Sequence, residues 1–67
     1  MGYRIREVRE AKKMSQSELA EKSGVSRGII WQLETNPNAE TTTKTLKKIA
    51  EALETSVSDI FFENSVQ

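Results

Sequence analysis

The sequence has 67 residues, a formal net charge of zero, and no cysteine or histidine. This length predicts one domain, close to the smallest size that folds without disulfides or bound metal. The absence of cysteine and histidine excludes disulfides, thiolate metal sites and zinc fingers. The amino terminus has no apolar signal segment, and no run approaches the roughly 20 apolar residues of a membrane span, so we expect a soluble, cytoplasmic protein with no membrane partner.

The charges are distributed unevenly along the chain. Residues 1–32 hold seven cations and four anions, whereas residues 33–67 hold three cations and six anions. The net charge is therefore +3 for the first segment and −3 for the second. A net positive segment suits a surface that faces phosphates, although ordinary solvated charges on helix surfaces would give the same count.

The first predicted helix runs from about Tyr3 to Lys13. Ile5 and Val8 lie three residues apart and are expected to face inward. Arg9 follows Val8 and falls at the edge of this apolar stripe.

The stretch from Ser15 to Glu34 predicts two short helices joined by a tight turn. Ser15 and Glu18 form an S-x-x-E capping box, which predicts a second helix over residues 16–23. Gly24 ends that helix, because the residue after a helix commonly needs a positive φ that glycine adopts without strain.

A third helix is predicted over residues 27–35, with Ser26 as its cap. At about 100° per residue, Ile30 and Leu33 face inward while Gly28, Gln32 and Thr35 point most nearly away from the core. Ala20 is followed four residues later by Gly24 and six residues after that by Ile30, and this spacing is typical of a helix-turn-helix.

Thr42 is the expected cap of a fourth helix that runs to about Glu54. Its inward residues follow an amphipathic 3, 4, 7 spacing: Leu46, Ile49, Ala50 and Leu53. Ser56 and Asp59 resemble a second capping box, which predicts a short fifth helix with Val57, Ile60 and Phe61 inward. Residues 63–67 are expected to be a disordered tail.

The segments IREVREAKKMSQSELAEKSGVS and TLKKIAEALETSVSDIFF occur in this order. They resemble the phage-repressor and Cro-like family of transcription regulators, often called the Xre family. The resemblance covers nearly the whole chain. It implies an all-α fold, a compact five-helix lambda-repressor-like DNA-binding domain over residues 1–62, with the helix-turn-helix formed by helices 2 and 3.

The resemblance also implies a transcriptional regulator that binds double-stranded DNA sequence-specifically, with a repressor preferred and the recognition helix 27–35 in the major groove. The candidates for base contacts are Arg27, Gly28, Ile29 and Gln32. Arg27 can bind guanine O6 and N7 or a phosphate, Gln32 can bridge adenine N6 and N7, and Ile29 can touch a thymine methyl. Gly28 either lets the backbone approach DNA closely or leaves one base unread, and we favour the second.

Six further residues are candidates for phosphate contacts: Ser15, Gln16, Ser26, Thr35, Thr42 and Lys44. The contact of Gln16 is implied by the resemblance, and helix amino ends favour phosphates in general. For Thr42 and Lys44 the alternative is an ordinary cap and a solvated lysine. The resemblance further implies a partly buried ion pair between Arg9 and Glu34 that fixes helix 1 against helix 3; the alternative is two independent surface charges.

Two aromatic residues remain outside these assignments. We expect Trp31 to be a half-buried packing residue over the Asn36–Pro37 loop, and a contact with the sugar-phosphate backbone is the alternative. Phe62 adjoins two apolar neighbours, and its exposure would suggest a homodimer through the C-terminal helix. The rival is simple closure of a small core.

No pattern points to an enzyme. The sequence has no glycine-rich phosphate loop, no nucleophile beside a base and no metal-ligand constellation, so we expect no cofactor, no metal and no small-molecule substrate. The alternative to a DNA-binding regulator is a helix-turn-helix-shaped protein-interaction module, or an antitoxin that acts mainly by binding protein.

Overall fold

The computed structural model describes residues 2–36 and 38–62, with only the backbone of Gly2 and Phe62. Five helices occur in it, α1 (Ile5–Ala11), α2 (Gln16–Ser23), α3 (Arg27–Thr35), α4 (Thr43–Ala52) and α5 (Val57–Ile60). Two strands of two residues each, β1 (Gly2–Tyr3) and β2 (Phe61–Phe62), flank them. The predicted all-α, five-helix fold is confirmed. The predicted tail, residues 63–67, and the side chain of Phe62 lie outside the described residues.

The core is built from the apolar stripes of all five helices. Six side chains are fully buried or nearly so: Ile5, Leu19, Ile30, Ile49, Leu53 and Ile60. The rest of the buried cluster consists of three further helix residues, one turn residue and one loop residue: Leu33, Leu46, Ala50, Val25 and Ala39. The sequence pattern predicts the buried positions of α1, α3, α4 and α5, because the 3 and 4 spacing selects one face of each helix.

The first helix is shorter than predicted at both ends. Tyr3 pairs with Phe61 in an antiparallel two-residue ladder, and their ring centroids lie 5.3 Å apart. The Tyr3 hydroxyl donates a hydrogen bond to the Ala39 carbonyl at 2.7 Å. These contacts hold Tyr3 extended, so α1 begins only at Ile5. At the other end Lys13 has a φ of +56°, which stops the helix before it.

The fourth helix also ends earlier than predicted. Its last residue is Ala52, Leu53 is the C-cap, and Glu54 adopts a φ of +58°. Glycine is the residue that takes this backbone region without strain, and a side chain here costs about 1 kcal/mol. After α4, Glu54 therefore adopts the left-handed conformation that Gly24 adopts after α2, where φ is +75°.

Among the described helices, none is both long and apolar enough to cross a membrane. The longest, α4, has ten residues.

Candidate functional site

The pair formed by α2 and α3 is fixed locally by its caps. The Ser15 hydroxyl accepts from the Glu18 amide at 3.0 Å, and the Glu18 carboxylate accepts from the Ser15 amide at 3.1 Å, which completes the predicted capping box. The Ser26 hydroxyl accepts from the Ile29 amide at 3.2 Å and begins α3. With Val25 buried between the two helices, the turn sets the direction of α3 relative to α2.

No described part of the chain covers the outer face of α3. Ile30 and Leu33 are buried, whereas the four candidates for base contacts, Arg27, Gly28, Ile29 and Gln32, are all exposed. A Cβ placed on Gly28 would meet no atom within 4 Å. The face is thus accessible along its length, and Gly28 is not required by packing within the described residues.

Arg27 does not project in the same direction as Gln32. The two positions differ by about 140° around the helix axis, which places Arg27 on the flank beside α2. There its Nη1 donates to Ser17 Oγ at 3.3 Å. Sequence reasoning missed Ser17, whose exposed place in the first turn of α2 was the only signal available.

Arg9 and Glu34 form a bidentate ion pair across α1 and α3. Arg9 Nε lies 2.8 Å from Glu34 Oε2, and Arg9 Nη2 lies 3.1 Å from Glu34 Oε1. The two side chains are only 11% and 2% exposed. Hydrogen bonding to Glu34 raises the pKa of Arg9, against a smaller opposite effect of burial, so the guanidinium stays charged.

The same carboxylate also holds Gln16. Gln16 Nε2 donates to Glu34 Oε1 at 3.0 Å, while Arg9 Nη1 donates to the Met14 carbonyl at 2.8 Å. The Arg9–Glu34 pair therefore ties the amino end of α2 to the end of α3. This network was expected only as a two-residue pair, because the reach of Gln16 across the turn depends on how the helices cross.

The candidates for phosphate contacts differ in whether their side-chain hydrogens are already used in hydrogen bonds within the protein. The hydroxyls of Ser15 and Ser26 accept amide hydrogen bonds as caps and retain their own hydrogen for a ligand. Thr35 Oγ1 already donates to the Trp31 carbonyl at 2.8 Å, and Thr42 Oγ1 donates to Thr45 Oγ1 at 3.0 Å.

Lys44 completes this set. It is the second residue of α4, two positions after the Thr42 cap, and is exposed. Its ammonium is a free-standing donor of three hydrogen bonds on a flexible stem, which suits a phosphate contact better than a base contact.

Trp31 is only partly covered, and Pro37, half of the loop against which it was expected to pack, lies outside the described residues. Trp31 is 55% exposed. The loop closes on itself, because the Asn38 amide donates to Asn36 Oδ1 at 2.9 Å and the Ala39 amide donates to the Asn36 carbonyl at 3.0 Å. Ala39 then turns toward Tyr3 and fills the core, which leaves the indole uncovered by the described part of the loop.

Comparison with known proteins agrees with this geometry. A family model described as helix-turn-helix matches residues 5–60. The structure is similar to a solved complex of SinR protein with SinI protein, with a TM-score of 0.80 and 34% sequence identity. The match covers 92% of this chain and 60% of that chain, so the chain spans less than two thirds of the length of its structural relative. The search of curated proteins found no match.

Proposed function

Because the chain belongs to the Xre/Cro-like helix-turn-helix family, we propose that it is a transcriptional regulator that binds double-stranded DNA sequence-specifically, with residues 1–62 as the DNA-binding domain. In this proposal α3 lies in the major groove, and the amino ends of the neighbouring helices hold phosphates. The observation that carries the proposal is the uncovered outer face of α3, where every candidate for a base contact is exposed.

The proposed contacts fall into two groups. Ile29 and Gln32 reach base edges, and Arg27 reaches a guanine or a phosphate from the flank beside α2. The phosphate contacts are assigned to Ser15, Gln16, Ser26, Thr35, Thr42 and Lys44. Gln16, Thr35 and Thr42 support this least directly, since all three use side-chain hydrogens within the protein.

We further propose that the protein acts as a homodimer and represses transcription. Two copies would place their α3 helices in successive major grooves, at half-sites roughly 34 Å apart. The contact between copies is assigned to the C-terminal helix near Phe62.

A second candidate function is a protein-interaction module or an antitoxin that acts by binding protein. The formal net charge of zero favours it, because DNA-binding domains tend to be basic. The structural relative was solved as a complex of two proteins, SinR and SinI, which is compatible with a protein partner for this chain too.

The proposal is tested by selecting duplexes from random DNA with the full chain and measuring fluorescence anisotropy of the selected duplex at two or more salt concentrations. A DNA-binding regulator loses affinity steeply as salt rises, with a slope of about −0.9 in log affinity against log salt for each phosphate neutralised. Failure to enrich or retain any duplex at low salt would refute DNA binding and leave the protein-interaction module as the better account.

A further inference from the structure

The described part of the chain leaves two large apolar side chains exposed, and both lie on α3. Trp31 is 55% exposed and Ile29 is 42% exposed. Trp31 is also the only tryptophan in the sequence. Tryptophan combines a large apolar ring with one hydrogen-bond donor, so an exposed one beside a candidate interface suggests a contact surface.

The neighbours of Trp31 on α3 show which way its flank faces. Arg27, four residues earlier, bonds to Ser17, and Glu34, three residues later, bonds to Gln16. Residues three and four apart share a face of a helix. Trp31 therefore lies on the flank of α3 that runs beside the first turn of α2. Around the helix axis it is rotated about 40° further from the buried face than Arg27.

The chemistry of this flank suits a phosphate backbone. The indole Nε1–H has no acceptor within the part of the chain that the structure describes. The charged residues of α3 are Arg27, which is exposed, and Glu34, whose side chain is 2% exposed and paired with Arg9. The solvent face of α3 thus presents a cation, an unused donor and an apolar ring, with no exposed carboxylate.

We infer that Trp31 is a DNA-backbone contact: its ring lies against deoxyribose at the wall of the major groove and its Nε1–H donates to a phosphate. The inference rests on the proposed function and extends it by one residue that neither base reading nor capping requires. Deoxyribose and phosphate are the same at every step of the duplex, so Trp31 supplies affinity without sequence preference.

The size of the effect follows from the exposed area. Trp31 exposes roughly 80–140 Å², which is 55% of an aromatic side chain's roughly 150–250 Å². Burial of about half of that area, roughly 60 Å², at about 25 cal/mol per Å² corresponds to about a tenfold change in affinity. Trp31→Ala should therefore weaken binding about tenfold, and equally for the selected duplex and for a duplex with its central bases scrambled. Trp31→Phe keeps most of the ring but loses the donor, and should weaken binding about two- to tenfold.

The direct test uses the emission of Trp31 in the full chain. The probe is the duplex returned by selection, labelled for anisotropy, so that binding and contact are measured separately. On saturation we expect the emission to shift toward the blue or to be quenched, and iodide to reach the indole less readily. Ile29→Ala is the contrasting variant: it truncates the other exposed apolar residue of α3, which is a proposed base contact, and keeps the tryptophan. The emission change on DNA should therefore persist in it, while the preference for the selected over the scrambled duplex falls.

The possible results distinguish the Trp31 contact from DNA binding itself. Anisotropy that reports binding, with unchanged emission, unchanged iodide quenching and unaltered affinity for Trp31→Ala, overturns the contact and leaves DNA binding in place. An emission change that follows protein concentration without DNA assigns Trp31 to a contact between copies and also overturns it. No binding of any duplex removes both. A change in the ratio between selected and scrambled duplexes would mean that Trp31 reads bases instead.

Discussion

Replacing Arg9 by methionine removes the guanidinium from its buried pair and keeps a long apolar stem in place. The side chain of Glu34 is 2% exposed, and its remaining partner would be Gln16. Breaking a buried pair by removing one member costs about 3–5 kcal/mol, because the other charge is left buried without compensation. The hydrogen bond of Arg9 to the Met14 carbonyl is lost as well.

That cost is large for a domain of this size. A chain of 67 residues is stabilised by about 3–10 kcal/mol in total. Arg9→Met should therefore lower Tm by about 12 °C or more, measured by circular dichroism, and lower the urea midpoint with an unchanged slope. In the double variant Arg9→Met/Glu34→Met no charge remains buried, and we expect most of the lost stability to return.

The chain offers a control on the same helix. Arg6 pairs with Glu10 at 3.2 Å, but the two side chains are 65% and 56% exposed. Exposed pairs of this kind contribute about 0–1 kcal/mol, so Arg6→Met should change Tm by only a few degrees. If Arg9→Met and Arg6→Met are equally stable, or if the double variant is no better than Arg9→Met, the network does not fix α1 to α3 as we argue.

Three further predictions concern α3 and the short α5. Gly28→Ala should stabilise the free protein by about 0.5–1 kcal/mol, because alanine favours a helix and the site is open. If the variant binds the selected duplex as tightly as the parent, the backbone does not approach DNA at this position. Weaker binding would show that it does. Arg27→Ala should leave Tm nearly unchanged and cost about 1–3 kcal/mol on the selected duplex if it reads guanine, while equal losses on all sequences would assign it to a phosphate. Hydrogen bonds from Thr55 and then Ser56 lower the pKa of Asp59 below its ordinary 3.8, so its contribution to stability is present above that value and is lost as pH falls through the lowered pKa. Melting curves between about pH 2 and 6 should therefore show less acid destabilisation in Asp59→Asn than in the parent, and identical profiles would contradict this role.

The sequence alone predicts the local structure well where a capping residue defines it. The bounds of α2 and α3, the Thr42 cap and the positive φ of Gly24 all follow from side chains that bond to their own backbone neighbours. Such interactions span only a few residues and depend little on the rest of the fold.

The features that the sequence does not predict depend on distant parts of the chain. Tyr3 leaves the first helix because Ala39 and Phe61 hold it in an extended conformation. The link from Gln16 to Glu34 likewise needs the crossing of two helices. Tertiary contacts of this kind override local preference and leave no periodic signal.

The central claim is that the outer face of α3 and the adjoining helix amino ends form one surface that meets DNA. The most direct measurement is the change in backbone amide NMR shifts when the labelled chain is titrated with the selected duplex. We expect the largest changes at residues 15–17, 26–35 and 42–44, with little change in α5. Changes centred on α5 and the β1–β2 pair, with α3 unaffected, would contradict the account.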